Sequence, residues 1–281
     1  MEPYVEAWRC LHQHPGVAAL LAGLLGTLFG SFANVLIYRI PHRLREEWKA
    51  DAAAILDLPA KEIARDDTLT RPSACPQCQH RLAWWELVPV LSWILLRGQC
   101  SACHTAISRQ YPVIEALVGL VFAAATWRFG LTWATPAVCL LSLLLVTAAV
   151  IDLKTQILPD TLTLKALWLG LGISVFGIHL SPQDAILGAS AGYFSLWLPF
   201  WAYKLLRGIE GMGYGDFKLM AALGAWVGPA GILPILIIAS LLSVVGGVVH
   251  LRRTKQSLRT AFSFGPALTT AGLVVLLWGP L

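Results

Sequence analysis

Charge is scarce in this 281-residue chain: Asp, Glu, Lys and Arg make up 13% of it, against 57% hydrophobic residues and a mean hydropathy of +0.66. A soluble domain carries about a quarter charged residues, so a soluble fold is excluded and lipid is the solvent for most of the chain. Several catalytic signatures are missing too. None of the seven His stands in a His-Glu-x-x-His zinc-protease motif. No Gly-x-Ser-x-Gly string stands at a strand-to-helix turn, where a nucleophile elbow needs it, and no Rossmann-type Gly-x-Gly-x-x-Gly loop is present. A pI of about 9.0 would suit nucleic acid, but the basic residues fall in short segments between apolar runs. That is the distribution of inner loops in a membrane protein, so nucleic acid is not an expected partner.

What the chain does have is apolar runs of helical length. A transmembrane helix needs about 20 apolar residues. Runs at 17–38, 113–130, 133–151, 162–180, 185–206, 217–228, 231–250 and 262–279 give eight candidate spans. The first is too long for a signal-peptide core and is followed by Arg39, Pro41 and Arg43 rather than a small-residue cleavage site. It reads as a retained span. The sixth would make only about 18 Å of helix, yet charge supports it. With the N-terminus outside, segments 39–112, 151–166, 203–218 and 251–260 hold 19 of the 21 Lys and Arg, leaving Arg9 and Arg128 outside. Without the sixth crossing, Arg252, Arg253, Lys255 and Arg259 would lie on the wrong side. The expected fold class is all-α: a polytopic membrane bundle of about eight spans with a small four-cysteine module. Its parts are a first span over 1–38, a cytoplasmic loop domain over 39–112 and a second membrane domain over 113–281. Gly26 with Gly30, Gly188 with Gly192 and Gly246 with Gly247 read as close helix packing. Trp127, Trp133, Trp201 and Trp278 read as interfacial anchors.

The loop from Arg39 to Pro112 is the one sizeable polar segment. Its front half, Leu44 to Asp67, reads as an amphipathic helix at the membrane surface followed by an acidic stretch. Its back half carries Cys75-Pro-Gln-Cys78, 21 residues, then Cys100-Ser-Ala-Cys103. Two such knuckles place four thiolates around a tetrahedral zinc, a closed structural site with no open catalytic position. Disulfides are the rival, disfavoured in a loop that faces a reducing compartment. His80 and His104 read as neighbours of the site rather than ligands, and Cys10 and Cys139 as small buried hydrophobes.

Acids at the edge of a span are costly and tend to be functional. Asp152 ends the third span, and Asp216 sits in Gly211-Met-Gly-Tyr-Gly-Asp216-Phe-Lys218 before the sixth. Topology puts both at one membrane boundary. Two carboxylates brought together in a low dielectric cannot both ionise, so one holds a proton while the other activates water: the chemistry of an aspartyl protease. Alternatively each Asp is a helix cap or a partner for Lys154 or Lys218. Asp160 fits a cap for the fourth span, and Glu210 is open between the two kinds of role. Glycines 211, 213 and 215 would allow close backbone approach. A transporter or channel with an acid pair, which would want charges at mid-span, and an assembly scaffold that docks through the zinc loop are the competing readings.

Beyond these features the sequence resembles the type IV prepilin peptidases, or prepilin leader peptidase/N-methyltransferases. The resemblance runs through Gly30-Ser-Phe-Ala-Asn-Val-Leu-Ile-Tyr-Arg-Ile-Pro41, Arg71-Pro-Ser-Ala-Cys75, Pro89-Val-Leu-Ser-Trp93 and Gly98-Gln-Cys100. It continues through Tyr111-Pro112 with Glu115, Leu158-Pro159-Asp160, the stretch from Gly211 to Trp226, and Phe264-Gly265-Pro266-Ala267. It implies that Asp152 and Asp216 are the catalytic pair. It also implies that prepilins or type II secretion pseudopilins lose their basic leader after a Gly at the cytoplasmic face of the bacterial inner membrane. The new N-terminal amine is then methylated from S-adenosylmethionine. All four module cysteines are retained, as in bifunctional members. The family's Arg before Tyr-Pro is replaced here by Gln110, with Arg109 one place earlier.

Overall fold

The computed structural model describes residues 11–57, 73–208, 211–254 and 263–279. Cys10, Glu210 and the acidic stretch from residue 58 to Asp67 lie outside the described residues. Among those described, nine α-helices follow one another: α1 Pro15–Ile55, α2 Leu91–Leu95, α3 Gln110–Phe129, α4 Ala134–Thr155, α5 Asp160–Val175, α6 Pro182–Arg207, α7 Tyr214–Val227, α8 Ile232–Thr254 and α9 Gly265–Trp278. A 3-10 turn, Trp84–Leu87, precedes α2, and β-structure is limited to two isolated bridges. Each of the eight expected spans coincides with a helix. Five stretches, within α1, α3, α4, α6 and Pro229–Val249, are long and apolar enough to cross a membrane. The helices α5, α7 and α9 are shorter, at 16, 14 and 14 residues.

The helix that contains the first span does not stop at Tyr38. Helix α1 runs 41 residues and continues through Pro41 to Ile55. The amphipathic segment expected from Leu44 is thus, as far as Ile55, a continuation of the first helix rather than a separate one. Its polar part is supported along its own length by Arg43–Glu47 and Lys49–Glu46 pairs at i,i+4 and i,i+3.

The chain folds as two compact units. One, Leu20–Ala123, holds most of α1, the cysteine module and most of α3. Lipid gives two apolar helices no hydrophobic reason to associate, so close packing over small residues holds them together. A methyl added to Gly26 would fall 2.8 Å from Phe122 Cβ, and one on Gly30 would fall 2.6 Å from Glu115 Cα.

The other unit holds Ala124–Leu281 with the chain up to Ala19. Its centre is α7, which packs against α5, α6 and α9. Apart from Lys218, α7 is buried continuously from Asp216 to Trp226. A helix apolar all round belongs inside a bundle, which is why so short a run persists. The backbones of Gly188 and Gly224 touch, and any side chain on either would strike the other's carbonyl. Trp226 Nε1 donates to Ala166 O at 2.9 Å, and Tyr193, Phe200, Tyr214 and Phe217 form an aromatic cluster at the start of α7. Gly247 has nothing within 4 Å of an added methyl, so the packing role expected there is not seen.

Candidate active site and metal centre

The two cysteine knuckles are built alike. In the first, Cys75 N–H donates to His80 O at 2.9 Å and Gln79 N–H to Cys75 O at 2.9 Å. In the second, Cys100 N–H donates to Thr105 O at 2.9 Å and His104 N–H to Cys100 O at 3.0 Å. Each chain reversal needs one residue with positive φ directly after its second cysteine, Gln79 and His104, both at 57°. The four Sγ atoms come within 4.8 Å of one another, with Cys75–Cys103 at 3.7 Å and Cys78–Cys100 at 4.0 Å. A disulfide would need about 2.05 Å. Four sulfurs each about 2.3 Å from a tetrahedral zinc stand about 3.8 Å apart. The donor set and its spacing therefore fit zinc. Hydrogen bonding by the Thr105 hydroxyl, with its backbone N–H, pushes the Cys103 thiol down to about 6, favouring the thiolate that binds metal.

One residue that joins the knuckles has no sequence signature. Glu86, on the 3-10 turn, accepts from Ala83 N–H at 2.6 Å and from His80 Nε2 at 3.2 Å through one oxygen, and from the Ser101 hydroxyl through the other. Burial works against its charge, but the Ser101, Ala83 and His80 contacts outweigh it and hold the carboxyl below the usual range. His80 is thus a neighbour of the site, as expected, and its partner is Glu86.

The two aspartates lie in the other unit. Asp152 lies in the last turn of α4 and Asp216 in the first turn of α7; both are buried, at 5% and 7% exposure. The start of α9 reaches Asp152. Gly265 N–H donates to Asp152 Oδ2 at 3.2 Å, and Ser263 Oγ donates to Asp152 O at 2.9 Å. Leu158 fills the space beside both helix starts: a methyl on Gly215 would fall 2.7 Å from its Cβ, and one on Gly265 would fall 3.3 Å from its Cδ1. Of the three glycines before Asp216, only Gly215 makes a close approach. Asp216 Oδ1 is buried and has no hydrogen-bond partner among the described residues.

Asp160 is not a cap by hydrogen bonding. Pro159 occupies the cap position of α5, and both Asp160 oxygens accept from Lys218 Nζ, at 2.8 and 2.7 Å. Lys218 is therefore committed to Asp160, 58 residues away, rather than to its helix neighbour Asp216. Glu115 is buried on α3, where it accepts from Val90 N–H at 2.7 Å and from Ser31. The string Gly188-Ala-Ser190-Ala-Gly192 spells a nucleophile elbow but lies inside α6, with the Ser190 hydroxyl donating to Ile186 O at 2.9 Å.

Residues 24–129 match the bacterial peptidase A24 N-terminal domain, and residues 139–248 match the type IV leader peptidase family. The prepilin leader peptidase/N-methyltransferase of Stutzerimonas stutzeri is 46% identical over 273 residues, covering 96% of this chain and 93% of that protein. Its counterpart in Xanthomonas campestris is 45% identical, covering 96% and 94% of the two chains. The one from Neisseria gonorrhoeae is 43% identical, covering 92% and 90%. No solved structure matches. Similarity sustained at that level along nearly the full length of several relatives has one explanation: the chain belongs to the type IV leader peptidase family.

Proposed function

We propose that this protein is an intramembrane aspartyl endopeptidase with Asp152 and Asp216 as its catalytic pair. It removes the basic leader of type IV prepilins or type II secretion pseudopilins after a Gly, at the cytoplasmic face of the bacterial inner membrane. The observation that carries the reading is the burial of both acids beside Leu158, while Lys218, two residues from Asp216, is held by Asp160. The Gly265 N–H favours the charged form of Asp152. Asp152 then takes a proton from water as the oxygen attacks the scissile carbonyl. Asp216, whose Oδ1 has no partner among the described residues, holds the shared proton and passes it to the substrate. The distribution of Lys and Arg between the apolar runs supports the cytoplasmic orientation.

Cys75, Cys78, Cys100 and Cys103 hold a structural zinc in this reading, and the metal's part is to fix the fold of the loop. Methylation of the released amine, with S-adenosylmethionine as the donor of an electrophilic methyl group, is supported by the name the relatives share.

The test is cleavage of a prepilin-like peptide by the detergent-solubilised full-length protein. Asp152→Asn and Asp216→Asn are each expected to lose about 10³-fold or more in rate with unchanged melting temperature, since neither carboxyl alone can both hold and accept a proton. Asp160→Asn is expected to be milder. Cleavage at anything near the wild-type rate by either of the first two variants rules the pair out.

A further inference from the structure

The zinc-module unit carries an apolar face that its own fold does not cover. Trp84, Trp85, Leu87, Leu91, Ile94 and Leu95 lie within 12 residues and are 41–79% exposed, although none belongs to a span. Trp93, in the same short helix, turns the other way: its Nε1 donates to Ile107 O at 3.2 Å, and its ring packs under Gly98. The segment therefore has an inner side fixed to the module and an outer side of large aliphatic and aromatic groups.

Depth can be worked out from α3. This helix has 20 residues, which gives about 30 Å at 1.5 Å per residue, the thickness of the hydrocarbon core of about 30 Å. All of it is needed to cross, so Gln110 stands at the boundary. Glu115 is five residues on, about 7.5 Å along the axis, with a side chain that leans back toward the helix start. Its carboxylate thus lies at the boundary or just within it. Val90 N–H is bonded to that carboxylate at 2.7 Å, so Val90 is at the same depth.

The local backbone fits that position. Val90 adopts φ 60° and ψ −50°, rare for a β-branched residue, in a tight turn closed by Leu91 N–H and Pro89 O. Irregular backbone at membrane depth persists only where protein satisfies its polar groups, and here Glu115 does so. Exposed Arg81 and Arg97 flank the apolar face on either side in the chain, where anionic headgroups attract them.

We infer that the segment Trp84–Leu95 is a membrane-seated element, with its apolar face in the headgroup–acyl boundary of the bilayer. The module is then a lipid-contacting structure rather than a free loop domain. Tryptophans at the interface and aliphatic residues beneath them are the ordinary composition of such an element.

The test uses the full-length, zinc-loaded protein in vesicles of phosphatidylcholine and phosphatidylglycerol. A photoactivatable diazirine amino acid is placed singly at Leu91, Ile94 or Leu95, and at Gln77 or Gln99 as exposed polar positions of the same module. After irradiation, mass spectrometry is expected to show lipid adducts severalfold more abundant at the three apolar positions than at the two glutamines. Equal lipid labelling at both sets overturns the proposal. So does labelling that passes from lipid to an added prepilin-like peptide, which would make the face a peptide-docking surface.

Discussion

Replacing Gly265 by Ala should separate stability from activity. Gly265 is not among the positive-φ residues, so alanine meets no backbone strain. At a helical position, losing a glycine stabilises by about 0.4–1 kcal/mol through the unfolded chain. The added methyl, however, would stand 2.7 Å from Asp152 Oδ2, 3.3 Å from its Cγ and 3.3 Å from Leu158 Cδ1. Ordinary contact distances begin near 3.5 Å, so the carboxylate must retreat by roughly 0.8 Å. That lengthens the hydrogen bond from Gly265 N–H to Asp152, already 3.2 Å, beyond useful range. A misplacement of about 1 Å costs on the order of 10²-fold in rate. The expected fall in kcat is therefore about 10- to 100-fold, or about 1.4–2.7 kcal/mol in the barrier, with KM little changed. Leader-peptide cleavage kinetics give the rate and thermal unfolding gives the stability. Gly247→Ala, which has open space, serves as the control. Wild-type kcat in Gly265→Ala would refute the placement of Asp152 under the start of α9. A lowered melting temperature would show that the loss is one of folding.

Three further outcomes follow from the other unit. Cys75→Ser or Cys103→Ser should lose the metal and unfold the module, while elemental analysis of wild type finds close to one zinc per chain; a metal-free preparation of full activity would contradict this. Glu86→Gln should destabilise the module by on the order of 1–3 kcal/mol, because a buried charged acceptor serving three donors is lost. With the folded Glu86 carboxyl below its ordinary value of 4.5, its contribution is complete above that pH and fades as pH falls through the lowered value. Wild type and variant should therefore converge in stability at strongly acidic pH. If Glu115, at the start of α3, positions the amine released by cleavage through a hydrogen bond, Glu115→Gln should lower methylation roughly tenfold, the worth of one charged hydrogen bond of about 1.5 kcal/mol, and lower cleavage less. Mass spectrometry of the processed N-terminus resolves the two products, and fully methylated product at the wild-type rate would rule the effect out.

The helices were legible because hydrophobic run length and basic-loop parity are written along the chain. Even α7, with its 14 residues, was found through the charges that follow it. The paired Cys-x-x-Cys knuckles were equally plain, since four ligands of one type at that spacing have few other uses. Contacts between residues far apart in sequence were not legible. Nothing local says that Lys218 will turn from Asp216 to Asp160, 58 residues back, or that Glu86 will bind Ser101, 15 residues on. The end of the first helix was missed for a different reason. The apolar run stops at Tyr38, but run length marks where apolar residues end and not where helical hydrogen bonding ends, and α1 carries on through Pro41 to Ile55. Asp160 resembled a cap because Pro159 and two threonines surround it, and only the folded chain shows its carboxylate turned outward to a lysine.

The short helices have a consequence for the lipid around them. At 16, 14 and 14 residues, α5, α7 and α9 are about 24, 21 and 21 Å long, some 6–9 Å less than a bilayer core of about 30 Å. All three begin at an acid: Asp160 opens α5, Asp216 is in the first turn of α7, and Gly265 opens α9 onto Asp152. Hydrophobic mismatch of that size is met by a local dimple, with headgroups and water drawn inward at a cost of fractions of a kcal/mol per Å. A dimple on the side where these helices begin is the one that would wet the carboxylates. Hydrolysis needs water in a place that lipid would otherwise keep dry, and a pinched bilayer brings the water to the scissile bond instead of requiring a greasy helix to be hauled out to it.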